Sequence, residues 1–176
     1  MRVVIINGAG GSGKDTCVEL IRSYVRNQYE VKNLSTISKV KEIAADMGWN
    51  YEKDDAGRAF LADLKRVWKN YNNGPFKEIT RQIGELNLFE EICEKECLVF
   101  IHCREREEIN EFKQWCENRG IDCQTLFIKR DGIQQFCNSA DLNVEFYNYD
   151  YTIINDGSIE VLEKKCQKWI ENKLWK

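Results

Sequence analysis

The feature that most limits what this chain can fold into lies at its start. Val3-Val4-Ile5-Ile6 is a continuous apolar, β-branched run, the composition of a strand covered on both faces. It leads through Asn7 into Gly8-Ala9-Gly10-Gly11-Ser12-Gly13. After Lys14, the residues Cys17, Leu20, Ile21, Tyr24 and Val25 recur at helical spacing. The opening therefore reads as strand, glycine loop, helix.

Gly8-x4-Gly13-Lys14 has the spacing of a Walker A phosphate loop, in the strand-before, helix-after context that gives such a match meaning. Glycines let backbone N–H groups converge on phosphate oxygens without a Cβ in the way. The helix that begins near Lys14 adds the positive end of its dipole. The segment Gly8, Gly10, Gly11, Ser12, Gly13, Lys14, Asp15 and Thr16 is thus expected to bind ATP, with the Lys14 ammonium on the β- and γ-phosphates. Asp15 stands where a Ser or Thr ordinarily ligates Mg²⁺, and the hydroxyl comes one place later at Thr16. Both are candidate metal residues, Asp15 through a bound water; Asp15 serves equally well as a complement to the helix N-terminus.

Further apolar runs at 31–35, 98–102, 125–129 and 151–154 read as strands, with helical patterns between them. These are Val40/Ile43/Ala44/Met47, Phe60/Leu64/Val67/Trp68/Tyr71, Ile79/Ile83/Leu86, Ile109/Phe112/Cys116 and Ile159/Leu162/Cys166/Trp169/Ile170. Alternation of this kind predicts an α/β, three-layer fold around a five-stranded parallel sheet. One domain is expected over residues 1–176, with a core of 1–38, 97–129 and 146–176. Residues 39–96 form a helical insert, and about 130–145 form a short lid. The insert is longer than one crossover needs, which suits either a substrate-binding lobe or additional packing helices. The only proline, Pro75, marks a turn between two of its helices.

The totals exclude several classes. Lys plus Arg number 26 against 29 Asp plus Glu, a net charge of -3, so nucleic acid is not the expected partner. Eight cysteines occur without a C-x-x-C and the chain opens directly into strand sequence, which predicts free thiols in a reducing cytoplasm. The single histidine, His102, has no clustered ligand set around it to hold zinc. No apolar run approaches the ~20 residues that span a bilayer. A cytoplasmic protein without membrane partner, monomeric or homodimeric, is the expectation.

Several segments, in their order, resemble those of the phage-type deoxynucleoside monophosphate kinases and the animal-type phosphomevalonate kinases. Ser12-Gly13-Lys14-Asp15 is similar to their phosphate loop, and Lys41-Glu42-Ile43-Ala44 to the helix after their second strand. Phe100-Ile101-His102-Cys103-Arg104 and Glu108-Ile109-Asn110-Glu111-Phe112 resemble their middle strand, arginine and following helix. Asp150 to Gly157 looks like their last strand and turn. The resemblance implies a P-loop kinase fold and transfer of the ATP γ-phosphate to a small phosphorylated substrate. It departs at His102, where those kinases carry an aspartate that orients Mg²⁺; His102 is either a substitute polar group or a cap on the strand end.

Phosphoryl transfer needs positioned positive charge more than covalent chemistry. Arg104 and Arg130 each follow a strand and are the expected catalytic cations beside Lys14, Arg130 from the lid. Arg58 and Lys65, seven apart on one helix face, are expected with Arg104 to hold the acceptor phosphate. Lys39, Lys41, Trp49, Trp68 and Tyr71 are weaker candidates for that pocket. Asn155, Asp156 and Gly157 are expected along the adenine edge, or form only a tight turn. A regulatory P-loop NTPase without a small-molecule acceptor is the competing reading. Asn138-Ser139-Ala140-Asp141 is not the guanine motif such a switch would use.

Overall fold

A computed structural model describes residues 1–52, 54–132 and 146–173. Five strands form one sheet: β1 (Arg2–Asn7), β2 (Tyr29–Ser35), β3 (Glu96–His102), β4 (Asp122–Lys129) and β5 (Tyr151–Ile154). Their order is β2-β3-β1-β4-β5 and every described pairing is parallel. The helices are α1 (Lys14–Val25), α2 (Ser38–Asp46), α3 (Asp55–Asn72), α4 (Gly74–Cys93), α5 (Arg106–Glu117) and α6 (Ile159–Lys173). The fold class is that expected from the sequence, and each strand-like run lies inside a strand. Register places Ile6 of β1 opposite His102 of β3 and Leu126 of β4. The carboxyl ends of the three central strands therefore share one edge, where ligands of such sheets bind.

The alternation of β1 divides its side chains between two cores. Val4 and Ile6 pack with Phe100, Leu126 and Ile128 against Cys17, Val18 and Ile21 of α1 and Leu162, Cys166 and Ile170 of α6. Val3 and Ile5 face the other way, onto Ile79 and Ile83 of α4 and Ile109, Phe112 and Cys116 of α5. Nearly all are fully buried, each contributing roughly 1.5–3 kcal/mol relative to exposure. This double burial explains why β1 reads as unbroken apolar sequence.

Between β2 and β3 the described residues form three helices. Asp54 caps α3 by accepting from the Gly57 amide at 2.7 Å. Asn73, with φ of 57°, ends α3, and Pro75 stands in the first turn of α4. Only α4 joins the main core; α2 and α3 share a small cluster of Val40, Ala44 and Leu61, bordered by Leu64 and Trp68. That cluster narrows the apolar stripe expected on α3: Val67 and Tyr71 lie beside it and are 57% and 83% exposed. Met47, placed on the apolar face of α2 by its spacing, is also exposed because that helix ends at Asp46. No helix among the described residues is long and apolar enough to cross a membrane.

Candidate functional site

The glycine loop joins β1 to α1 at the carboxyl edge of the sheet. Buried Asn7 sets its entry: its Oδ1 accepts from the Gly8 amide at 2.7 Å, and its Nδ2 donates to the Tyr149 hydroxyl at 2.8 Å and the Arg104 carbonyl at 3.3 Å. Gly8 has φ of 149°, and a Cβ there would lie 2.4 Å from the Ile128 carbonyl oxygen. At the exit Gly13 has φ of 95°, and a Cβ would lie 2.6 Å from Asn155 Nδ2. Both positions require glycine, by conformation and by space. The Gly13 carbonyl accepts from the Cys17 amide at 2.8 Å as the first bond of α1.

Lys14 lies over the loop, its Nζ donating to the carbonyls of Gly8 at 2.7 Å and Ala9 at 2.8 Å. The ammonium is thereby held above the main chain that the phosphates would follow. Gly11, Gly13, Lys14, Asp15, Thr16 and Arg130 line a cleft of about 250 Å³. Arg130, expected from a lid, is thus brought to the loop, while residues 133–145 of that expected lid lie outside the described residues, as does Asn138 to Asp141. A larger hollow of about 550 Å³ runs along β5 and α6 and shares no residue with the loop. Glycine backbone and two cationic residues line the smaller one, the kind of surface on which anions are bound.

Asp15 and Thr16 are exposed at the cleft. Their carboxylate and hydroxyl are hard oxygen donors and fit Mg²⁺. Asp15 Oδ1 accepts from Asn33 Nδ2 at 3.3 Å and lies 3.6 Å from His102 Nε2. That nitrogen is buried and has no hydrogen-bond partner, although the ring closes β3 beside the loop. Burial lowers the pKa of His102; Asp15 opposes the shift, and Lys14 and Arg104 add to it. The imidazole is neutral near pH 7.

Arg104 is exposed on the connection from β3 to α5, with its carbonyl fixed by Asn7. Lys65 does not take the phosphate-holding place expected of it. Its Nζ donates to Glu105 Oε1 at 2.9 Å and Glu108 Oε2 at 2.8 Å, so its charge is already matched. Lys69 joins the same carboxylates, at 2.6 Å to Glu105 and 3.2 Å to Glu108. Burial pulls the Lys65 pKa down, but Glu108 and Glu105 more than offset it and the net shift is upward. This network ties α3 to the connection that carries Arg104. Arg58 is on the exposed first turn of α3, 3.9 Å from Asp55.

After β5, Asn155 is the residue that reaches the loop, its Nδ2 donating to the Ser12 carbonyl at 2.9 Å. Asp156 instead pairs with Lys165 of α6 at 2.5 Å, and Gly157 packs close to Val161. Tyr71 is too exposed to wall a pocket, Trp49 bonds the Glu52 carbonyl, and Lys39 pairs with Glu42. Sequence reasoning missed Asn7, Tyr149, Lys69 and Glu108. A polar residue ending an apolar strand was the available signal for Asn7. Glu108 was concealed within a charged run that reads as a solvated helix start, and Tyr149 carried none.

No protein-family model and no curated protein matches this chain. Solved structures do. The shikimate kinase of Aquifex aeolicus superposes with a TM-score of 0.54 at 13% identity, covering 99% of each chain. The APS kinase of Mycobacterium tuberculosis, in complex with AMPPNP and APS, gives a TM-score of 0.51 at 17% identity, covering 97% of this chain and 95% of that one. The fold is thus one shared with P-loop kinases.

Proposed function

We infer that this protein is an ATP-dependent phosphotransferase that passes the γ-phosphate to a small acceptor, a nucleoside monophosphate or a similar phosphorylated metabolite. One observation carries the reading: Lys14, Arg130, Gly11 and Gly13 line a single cleft at the carboxyl edge of the sheet. That set matches the demand of phosphoryl transfer for positioned donors and positive charge. The likeness in fold to two small-molecule kinases, one solved with the ATP analogue AMPPNP, supports it.

In this mechanism the loop amides and the helix end receive the β- and γ-phosphates, and the Lys14 ammonium exchanges its two carbonyl partners for phosphate oxygens. Asn7 and Asn155 keep the loop curved through their bonds to Gly8 and Ser12. Arg130 stabilises charge from across the cleft. Arg104, on a connection fixed to β1 on one side and to α3 through Glu105 on the other, is placed to meet the acceptor. Mg²⁺ held by Asp15 and Thr16 would neutralise phosphate charge.

A coupled assay for ADP, run with ATP, Mg²⁺ and a panel of nucleoside monophosphates and metabolite phosphates, tests the reading. ADP formation that rises with one acceptor supports it. Hydrolysis indifferent to every acceptor would favour a regulatory NTPase instead.

A further inference from the structure

His102, beside the cleft, is a polar group that the mechanism leaves unused. Its Nε2 is buried and has no hydrogen-bond partner, a costly state for an imidazole nitrogen that nothing in the core requires. It faces Asp15 Oδ1 at 3.6 Å. That separation exceeds a hydrogen bond, whose heavy atoms approach to ~3.2 Å or less. It suits two ligands of one cation: donors each ~2.1 Å from a metal lie ~3.4 Å apart at the tetrahedral angle.

We propose that the cation of this cleft is held by Asp15 and His102 Nε2 together, and that the site therefore prefers a nitrogen-accepting first-row metal such as Mn²⁺, Co²⁺ or Zn²⁺ over Mg²⁺. The proposal deepens the reading of the loop as a polyphosphate cradle and rests on it. Imidazole suits these metals, whereas Mg²⁺ takes oxygen ligands and gains little from it. Asn33 Nδ2 fixes the shared carboxylate oxygen from the strand side. Thr16 adds a hydroxyl at the same helix start. Lys14 and Arg104 are close enough to His102 to bias it electrostatically and oppose a bare cation. The metal accordingly arrives with the polyphosphate, whose oxygens offset those charges and complete the coordination shell.

Cobalt is the probe, because its visible absorption reports a nitrogen ligand without any turnover. The full chain is titrated with Co²⁺, alone and with AMPPNP, and calorimetry repeats the series with Mg²⁺. One Co²⁺ per chain with AMPPNP is expected, tighter than Mg²⁺. His102→Ala is expected to weaken Co²⁺ by about tenfold or more, change its spectrum and leave Mg²⁺ affinity unaltered. His102→Gln, which keeps size and polarity but not the ligand, should behave like His102→Ala; circular dichroism checks that both fold. Asp15→Ala should weaken both metals. Co²⁺ binding with the same affinity and spectrum in the histidine variants, or no Co²⁺ binding in either arm, overturns the proposal. Failure of AMPPNP to bind with either metal present overturns the kinase reading instead, whereas AMPPNP binding that is equal in Co²⁺ and Mg²⁺ and indifferent to the histidine substitutions overturns this proposal alone.

Discussion

Asn155, after the last strand of the sheet, donates its side-chain amide to the main-chain oxygen of Ser12, 143 residues away, at 2.9 Å. The glycine loop is thus held from outside as well as by its own glycines. Asn155→Ala removes one partner of a buried bond and leaves the Ser12 carbonyl unpaired, a loss of about 1–3 kcal/mol. ATP affinity measured by calorimetry should fall about tenfold, with the helical signal in circular dichroism unchanged. Unaltered affinity would mean that the loop keeps its shape without this support.

Lys14→Ala should lower turnover by about two to three orders of magnitude, the usual effect of removing one preorganised donor from a developing charge. Lys14 touches the loop and lines the cleft rather than filling the core, so the fold should persist. Steady-state rates together with a thermal melt separate these two effects. A rate equal to that of the parent chain would remove Lys14 from the mechanism.

Gly8→Ala combines a φ of 149° with a Cβ 2.4 Å from a backbone oxygen that cannot swing away. Strain of this kind costs about 3 kcal/mol, which in a chain of this size lowers Tm by roughly 6–12 °C. Scanning calorimetry reads it directly. Gly10→Ala, with no atom within 4 Å of its Cβ position, is the matched control and should melt close to the parent chain.

Glu108 is 3% exposed and meets Lys65 and Lys69, so Glu108→Gln leaves both ammonium groups with the Glu105 carboxylate alone. Breaking one side of a buried pair costs about 3–5 kcal/mol. A Tm that falls by less than the surface Glu42→Gln variant would place the network's weight elsewhere.

The same network fixes the pH range of stability. The Lys65 pKa is raised in the fold, so its contribution is complete below its ordinary value and is lost as pH rises through the higher folded value. The Glu105 pKa is lowered, since Lys69 and Lys65 outweigh the burial that would raise it; its contribution is complete above the ordinary carboxylate value and is lost as pH falls through the folded one. Urea midpoints should therefore be flat between about pH 5 and 10 and decline on both sides. Lys65→Met should flatten the alkaline decline.

The central strands β1, β3 and β4 were legible because apolar residues fill both their faces, and the loop because glycine spacing has few other uses at a strand–helix junction. Strand starts were less so: β2 begins at Tyr29 and β4 at Asp122, earlier than their apolar runs, since pairing with a neighbour recruits polar residues that periodicity ignores. Lys65 was misread because helical spacing gives its face but not the element opposite. Glu105 and Glu108 arrive there only through the packing of α3 against the start of α5. Asn155 is expected with its two neighbours along the adenine edge, whereas its side chain bonds the Ser12 carbonyl, a contact that only the approach of β5 to Ser12 reveals.

The sheet order has a consequence for biogenesis. β1 leaves the ribosome before the other strands of this sheet, yet both its neighbours, β3 and β4, come from residues 96 and beyond, and the described pairing of β2 is with β3. A nascent chain shorter than this holds two sticky ribbons with nothing between them. Such long-range closure is slow and leaves apolar surface open to misassociation. Val3–Ile6 waits without its sheet partners until then, a consequence of placing the glycine loop on the central strand.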